Sequence, residues 1–147
     1  MAPLVFLIIG FAAARAAGLA GVDAVDGWHP SLRVGLALMF TVTGIAHFAP
    51  KMRNDMIAMV PPGLPRPDLL VTATGALELA GAVGLLIPAT SRPAAGALAL
   101  LMIAMFPANV SAIRRRLTFG GKPVEPLVPR TLLQVFWVSL AVAVAFA

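Results

Sequence analysis

The chain's 147 residues, 60% of them hydrophobic and 12% charged, give a mean hydropathy of +0.94, more apolar surface than a soluble core of this size can hide. Its apolar runs are long and continuous without period-two alternation, which excludes a barrel and predicts an all-α integral membrane helical bundle. The formal charge is +5, but the basic residues sit in connectors without interleaved aromatics, so the predicted partner is the lipid bilayer and not nucleic acid.

Five apolar stretches, about 3–20, 31–48, 69–88, 93–112 and 131–147, are each close to the ~20 residues that cross a hydrocarbon core. They form a single transmembrane domain over 1–147. Ala14-Arg15-Ala16 has the small-residue spacing of a cleavage motif, but no Lys or Arg precedes it and Arg15 falls inside it. The first stretch is therefore read as a retained helix, with Ala12, Ala16 and Ala20 as a small-residue packing stripe.

The first connector, Val22 to Pro30, carries Asp23, Asp26, Gly27 and the interfacial aromatic Trp28. The second, Pro50 to Asp68, contains Pro61-Pro62-Gly63-Leu64-Pro65-Arg66-Pro67, which favours extended or polyproline geometry. A tight third connector, Ala89 to Pro93, implies an antiparallel helix pair. The fourth, Arg114 to Arg130, holds Arg114-Arg115-Arg116 and Gly120-Gly121-Lys122.

Five crossings put the second and fourth connectors on the side of the N-terminus. They hold Lys51, Arg53, Arg66, Arg114, Arg115, Arg116, Lys122 and Arg130, whereas the opposite connectors hold Arg33 and Arg92. The positive-inside rule then predicts a cytoplasmic N-terminus and an outside C-terminus.

Ionisable groups inside spans are the leading candidates for function, because burying them in lipid is costly. Glu78 lies mid-span, with Thr74 one turn before it and Gly81 after it. Two roles stand open for it: a carboxyl holding helices in register, or a proton-exchange or ligand-binding group. Arg15 reaches a similar depth on the first span, so an Arg15–Glu78 ion pair is one expectation, and an Arg15 that snorkels to the outer headgroups is the other.

A second cluster is expected near the inner face. Thr43 and His47 are one turn apart on the second span, and Asn109 and Gln134 reach the same depth on the fourth and fifth. His47 is read either as a ligand-binding or proton-accepting group, or as a pin for the connector that follows it. Pro107 interrupts the fourth span's hydrogen-bond ladder and frees a carbonyl for Asn109 or a neighbour to satisfy.

Several chemistries find no support. His29 is predicted at the end opposite His47, which excludes a bis-His haem, and His47 with Glu78 is too small a set for a metal site. The absence of cysteine excludes disulfides, thiol redox chemistry and iron–sulfur clusters. No catalytic triad, phosphate loop or dinucleotide fingerprint is present, so the chain is not read as an autonomous enzyme. The methionines Met52, Met56, Met59, Met102 and Met105 read as packing or an interfacial amphipathic turn.

His47-Phe48 followed by Pro50, Val60-Pro61-Pro62, the run Gly75-Ala76-Leu77-Glu78-Leu79-Ala80-Gly81, and Phe106-Pro107-Ala108-Asn109 occur in an order that resembles the DoxX family of small bacterial membrane proteins. The resemblance covers roughly residues 33–135 and implies a four-helix core to which this chain adds a first span. It implies location in the bacterial cytoplasmic (inner) membrane. It also implies an accessory or quinone-contacting subunit of a membrane oxidoreductase system, with quinone as cofactor and oxidoreductase subunits or a second copy as partners. His47, Glu78 and Asn109 fall on the family's motif positions and would line one cavity. Two rival readings are a binder of lipids or other lipophiles without redox coupling, and a membrane assembly or anchoring protein.

Overall fold

The computed structural model describes residues 2–147. In chain order it has α1 (Ala2–Leu19), a short 3-10 turn (Asp23–Val25), α2 (Trp28–Ala46), α3 (Pro50–Met59), α4 (Pro67–Leu86), α5 (Ser91–Arg114), a two-residue antiparallel ladder of β1 (Thr118–Phe119) and β2 (Lys122–Pro123), and α6 (Leu127–Phe146). α1, α4, α5 and α6 are each long and apolar enough to cross a membrane. α2 with α3 makes a fifth such element, bent by 89° at the break between them.

α2 alone falls short because its first turns, Trp28-His29-Pro30-Ser31-Leu32-Arg33, are polar. Packing explains why a less apolar helix is tolerated there. α2 touches α1, α4 and α6, and it buries Ser31, Leu32, Gly35, Leu36, Ala37, Met39, Phe40 and Gly44. It is walled by protein on several faces, so its polar groups find protein partners. α2, α4, α5 and α6 close into a ring by successive contacts, and α1 packs outside it against α2. Leu36, Leu85, Leu98 and Val144 are fully buried at the centre of this ring.

Close backbone approach sets the α1–α2 contact. A Cβ added at Gly10 would lie 2.9 Å from the Gly35 Cα, and one at Gly35 would lie 2.8 Å from the Leu7 carbonyl oxygen. Without a Cβ on either glycine the two backbones reach van der Waals contact, as small residues allow at helix–helix interfaces. The face that α1 uses is Leu7, Gly10, Ala14 and Gly18. Ala12, Ala16 and Ala20, the stripe expected from the sequence, are exposed instead. Small residues recur on both faces of this helix, and only the position of α2 selects one of them.

The second connector also departs from expectation. Its first part is helical: Pro50 at the first helical position suits the fixed proline φ, and α3 runs to Met59 before the proline run begins at Pro61. The fourth connector contains the ladder β1–β2, turned by Gly120 (φ 61°) and Gly121 (φ 81°), values that glycine reaches without a Cβ penalty.

Candidate functional site

The polar groups of the sequence separate into three sites. The tightest joins α2 to α4. The Thr43 hydroxyl donates to Glu78 Oε2 at 2.5 Å, and Glu78 is 5% exposed. One turn on, His47 is buried, and its Nδ1 lies 2.9 Å from the Thr43 carbonyl oxygen. A carbonyl can only accept, so Nδ1 carries the proton and the ring is turned back onto its own helix. Two glycines allow this proximity. A Cβ at Gly75 would stand 2.5 Å from His47 Cβ, and one at Gly44 would stand 2.8 Å from Leu79 Cγ and 3.3 Å from Glu78 Cβ.

His47 sits just past the end of α2 yet faces Gly75, well inside α4. The first two turns of α4 therefore extend beyond α2, and α3 folds across to meet them. Arg53 on α3 fixes that corner: it donates to the His47 carbonyl at 3.2 Å, the Asp68 carbonyl at 3.0 Å and Thr72 Oγ1 at 2.9 Å. One guanidinium thus joins the end of α2 to the start of α4. Arg53 ties the connector through the His47 backbone carbonyl, while the His47 ring bonds back to Thr43 on its own helix.

The second site lies between α5 and α6. Arg130 donates to Asn109 Oδ1 at 2.7 Å, and Gln134 Nε2 donates to the Met102 carbonyl at 2.7 Å. Asn109 therefore does not join His47 as the sequence suggested. Equal depth in a bundle does not make neighbours, and Asn109 meets α6. Nor does Thr74 join Glu78: its hydroxyl bonds back to the Leu70 and Val71 carbonyls of its own helix at 2.9 and 3.1 Å.

The third site is the end of the bundle opposite α3. Arg15 pairs with Asp26 at 3.2 Å, not with Glu78. Helix α2 stands between α1 and α4, and Arg15, one turn from the end of α1, reaches Asp26 in the connector beyond it. Arg33 donates to the carbonyls of Leu85 (2.7 Å) and Leu86 (3.1 Å), which closes the C-terminus of α4 with a cation where the helix dipole is negative. His29 Nε2 lies 3.3 Å from the Val144 carbonyl oxygen, and Arg92 donates to that of Ala147.

At the α3 end the two connectors form one platform. Arg115 donates to the carbonyls of Ala58 and Val60, so it caps α3, and the Gly120 N–H donates to Asp55 Oδ2 at 2.8 Å. Arg33, Arg53 and Arg115 are the structural residues the sequence reading passed over. Charge counting treats such arginines as topology signals, whereas each one closes a helix end. Two surface grooves accompany this framework. One of about 480 Å³ lies between the proline run and α5, and one of about 580 Å³ lies between α4 and α5. Neither is lined by His47, Glu78 or Asn109.

Comparison with curated proteins and with solved structures finds no significant match. A family model described as a domain of unknown function matches residues 36–145, which runs from within α2 almost to the end of α6 and leaves α1 outside. The chain belongs to that family, DUF8561.

Proposed function

We propose that this chain is a five-span membrane protein of DoxX-like organisation, set in a bacterial inner membrane with its N-terminus cytoplasmic. In this reading it is an assembly or anchoring component with no chemistry of its own. The observation that carries the reading is the platform. Arg115 on Ala58 and Val60, and Asp55 on Gly120, join the two connectors richest in Lys and Arg into one structured face. A structured basic face at a membrane surface suits contact with anionic lipid and with partner proteins. The intramembrane polar groups support the same reading from the other side. Thr43 and Glu78 are used in closing α2 onto α4, with the His47 ring turned back onto α2 and packed against Gly75, which is how polar side chains hold helices together in lipid.

The quinone-contacting accessory subunit is the competing reading, and the geometry supports it less. It needs His47 and Asn109 around one headgroup, and they face different helices. The deciding experiment is organic extraction and native mass spectrometry of the detergent-purified chain. The anchoring reading expects no stoichiometric quinone. A quinone retained one per chain and lost in Glu78→Gln would overturn it in favour of the redox reading.

A further inference from the structure

The groove beside the proline run is built differently from the one between α4 and α5. Its walls are Pro61 and Pro62 on one side and Phe106 and Val110 of α5 on the other, with Arg114 and Arg115 at one end. Phe106, Val110 and Arg114 are spaced four residues apart, so they share one face of α5 over about 12 Å of axis. The trough thus runs from apolar side chains to cationic ones, and no acidic residue lines it.

The two arginines differ in what they have left to offer. Arg115 is spent on the Ala58 and Val60 carbonyls and on Ser111 Oγ at 3.0 Å, and so clamps the proline segment against α5. Arg114 is exposed and makes no hydrogen bond or ion pair among the described residues. An unpaired guanidinium at the mouth of an apolar trough matches one ligand chemistry: a phosphate carried on a hydrocarbon chain. A second copy of this chain fits poorly, because the same end of the molecule also carries Lys51, Arg66, Arg116 and Lys122.

We propose that this groove binds one anionic phospholipid, its acyl chain along Phe106 and Val110 and its phosphate on Arg114. The proposal rests on the membrane reading above. It makes the platform a lipid-selective site and not merely a basic surface.

The test is native mass spectrometry of the full chain in detergent, titrated with dioleoyl phosphatidylglycerol or dioleoyl phosphatidylcholine. One phosphatidylglycerol per chain is expected to bind in preference to phosphatidylcholine. Arg114→Gln should weaken it about five-fold, the scale of one basic residue at an anionic surface. Arg116→Gln, outside the groove, should leave it unchanged, and Val110→Trp should expel both lipids by filling the trough. Arg114 is exposed and unbonded, so its variant tests the site even where Val110→Trp fails to fold. Equal retention of the two lipids, an equal loss in Arg116→Gln, or displacement by glycerol 3-phosphate alone would overturn the proposal. Alkaline carbonate extraction of membranes separates the two ideas. A chain released by carbonate sinks the membrane reading, whereas an embedded chain without lipid preference sinks only this one.

Discussion

The Thr43 hydroxyl on α2 donates to the Glu78 carboxyl on α4 at 2.5 Å, and this bond crosses the contact where both helices bring glycine to the interface. Thr43 stands in the last turn of α2, while Glu78 stands mid-way along α4. The stagger between the two helices is therefore held at this end by the Thr43–Glu78 bond, with His47 seated against Gly75 one turn away, and at the other end by Arg33 on the Leu85 and Leu86 carbonyls.

Thr43→Val keeps the side-chain shape and removes the donor. It should lower stability by about 0.6–1.7 kcal/mol, the range of interhelical hydrogen bonds in lipid. Glu78→Gln retains an acceptor oxygen and should cost less than Glu78→Leu. A Thr43→Val/Glu78→Leu double-mutant cycle in detergent unfolding should return a coupling of about 1 kcal/mol. Strict additivity would show that the pair does not hold the helices.

Two glycine-to-alanine changes should have opposite signs. At Gly75 the new methyl meets His47 Cβ at 2.5 Å, so Gly75→Ala should destabilise by about 1–3 kcal/mol. At Gly96 a Cβ meets nothing within 4 Å, so Gly96→Ala should be neutral or stabilise α5 by up to about 1 kcal/mol. Thermal unfolding of both variants in the same detergent is the measurement. A stable Gly75→Ala would mean that α4 slides freely on α2.

Arg53→Ala should loosen the corner without melting the bundle. It removes donors from the His47 and Asp68 carbonyls and from Thr72, so the segment from α3 to the proline run should become sensitive to protease. Limited proteolysis read by mass spectrometry should show new cuts between residues 50 and 67. Arg53→Lys, with a point charge in place of the planar fork, should protect only in part.

The absence of cysteine makes the proposed topology directly measurable with single-cysteine variants. Ala24→Cys and Ala89→Cys should react with an impermeant maleimide on intact cells, whereas Gly63→Cys and Lys122→Cys should react only after lysis. All four residues are exposed, so accessibility within the fold does not bias the comparison. Labelling of Gly63→Cys and Lys122→Cys on intact cells would invert the proposed orientation.

How much of this was legible beforehand depends on how local each signal is. The five apolar runs fall within a few residues of α1, α2, α4, α5 and α6, because hydrophobic continuity belongs to the segment itself. Helix α3 was less visible: its Pro50 start and its methionine spacing are helical signals, but the prolines from Pro61 onward dominated the reading of the whole connector. The Gly120-Gly121 turn was readable in kind from residues that take positive φ easily, yet the strands it joins are two residues long and carry no pattern.

Composition and hydropathy by themselves determined a helical, apolar chain whose basic residues collect in two connectors. Both are sums along the sequence and need no knowledge of neighbours. Only the tertiary structure decided which polar group meets which. Arg15 and Glu78 have similar depths, but α2 stands between their helices, so Arg15 turns to Asp26 and Glu78 to Thr43. Asn109, on the face of α5 that packs against α6, meets Arg130 there. A hydrogen bond requires contact within about 3 Å, and depth along a helix fixes one coordinate of that contact while packing fixes the other two.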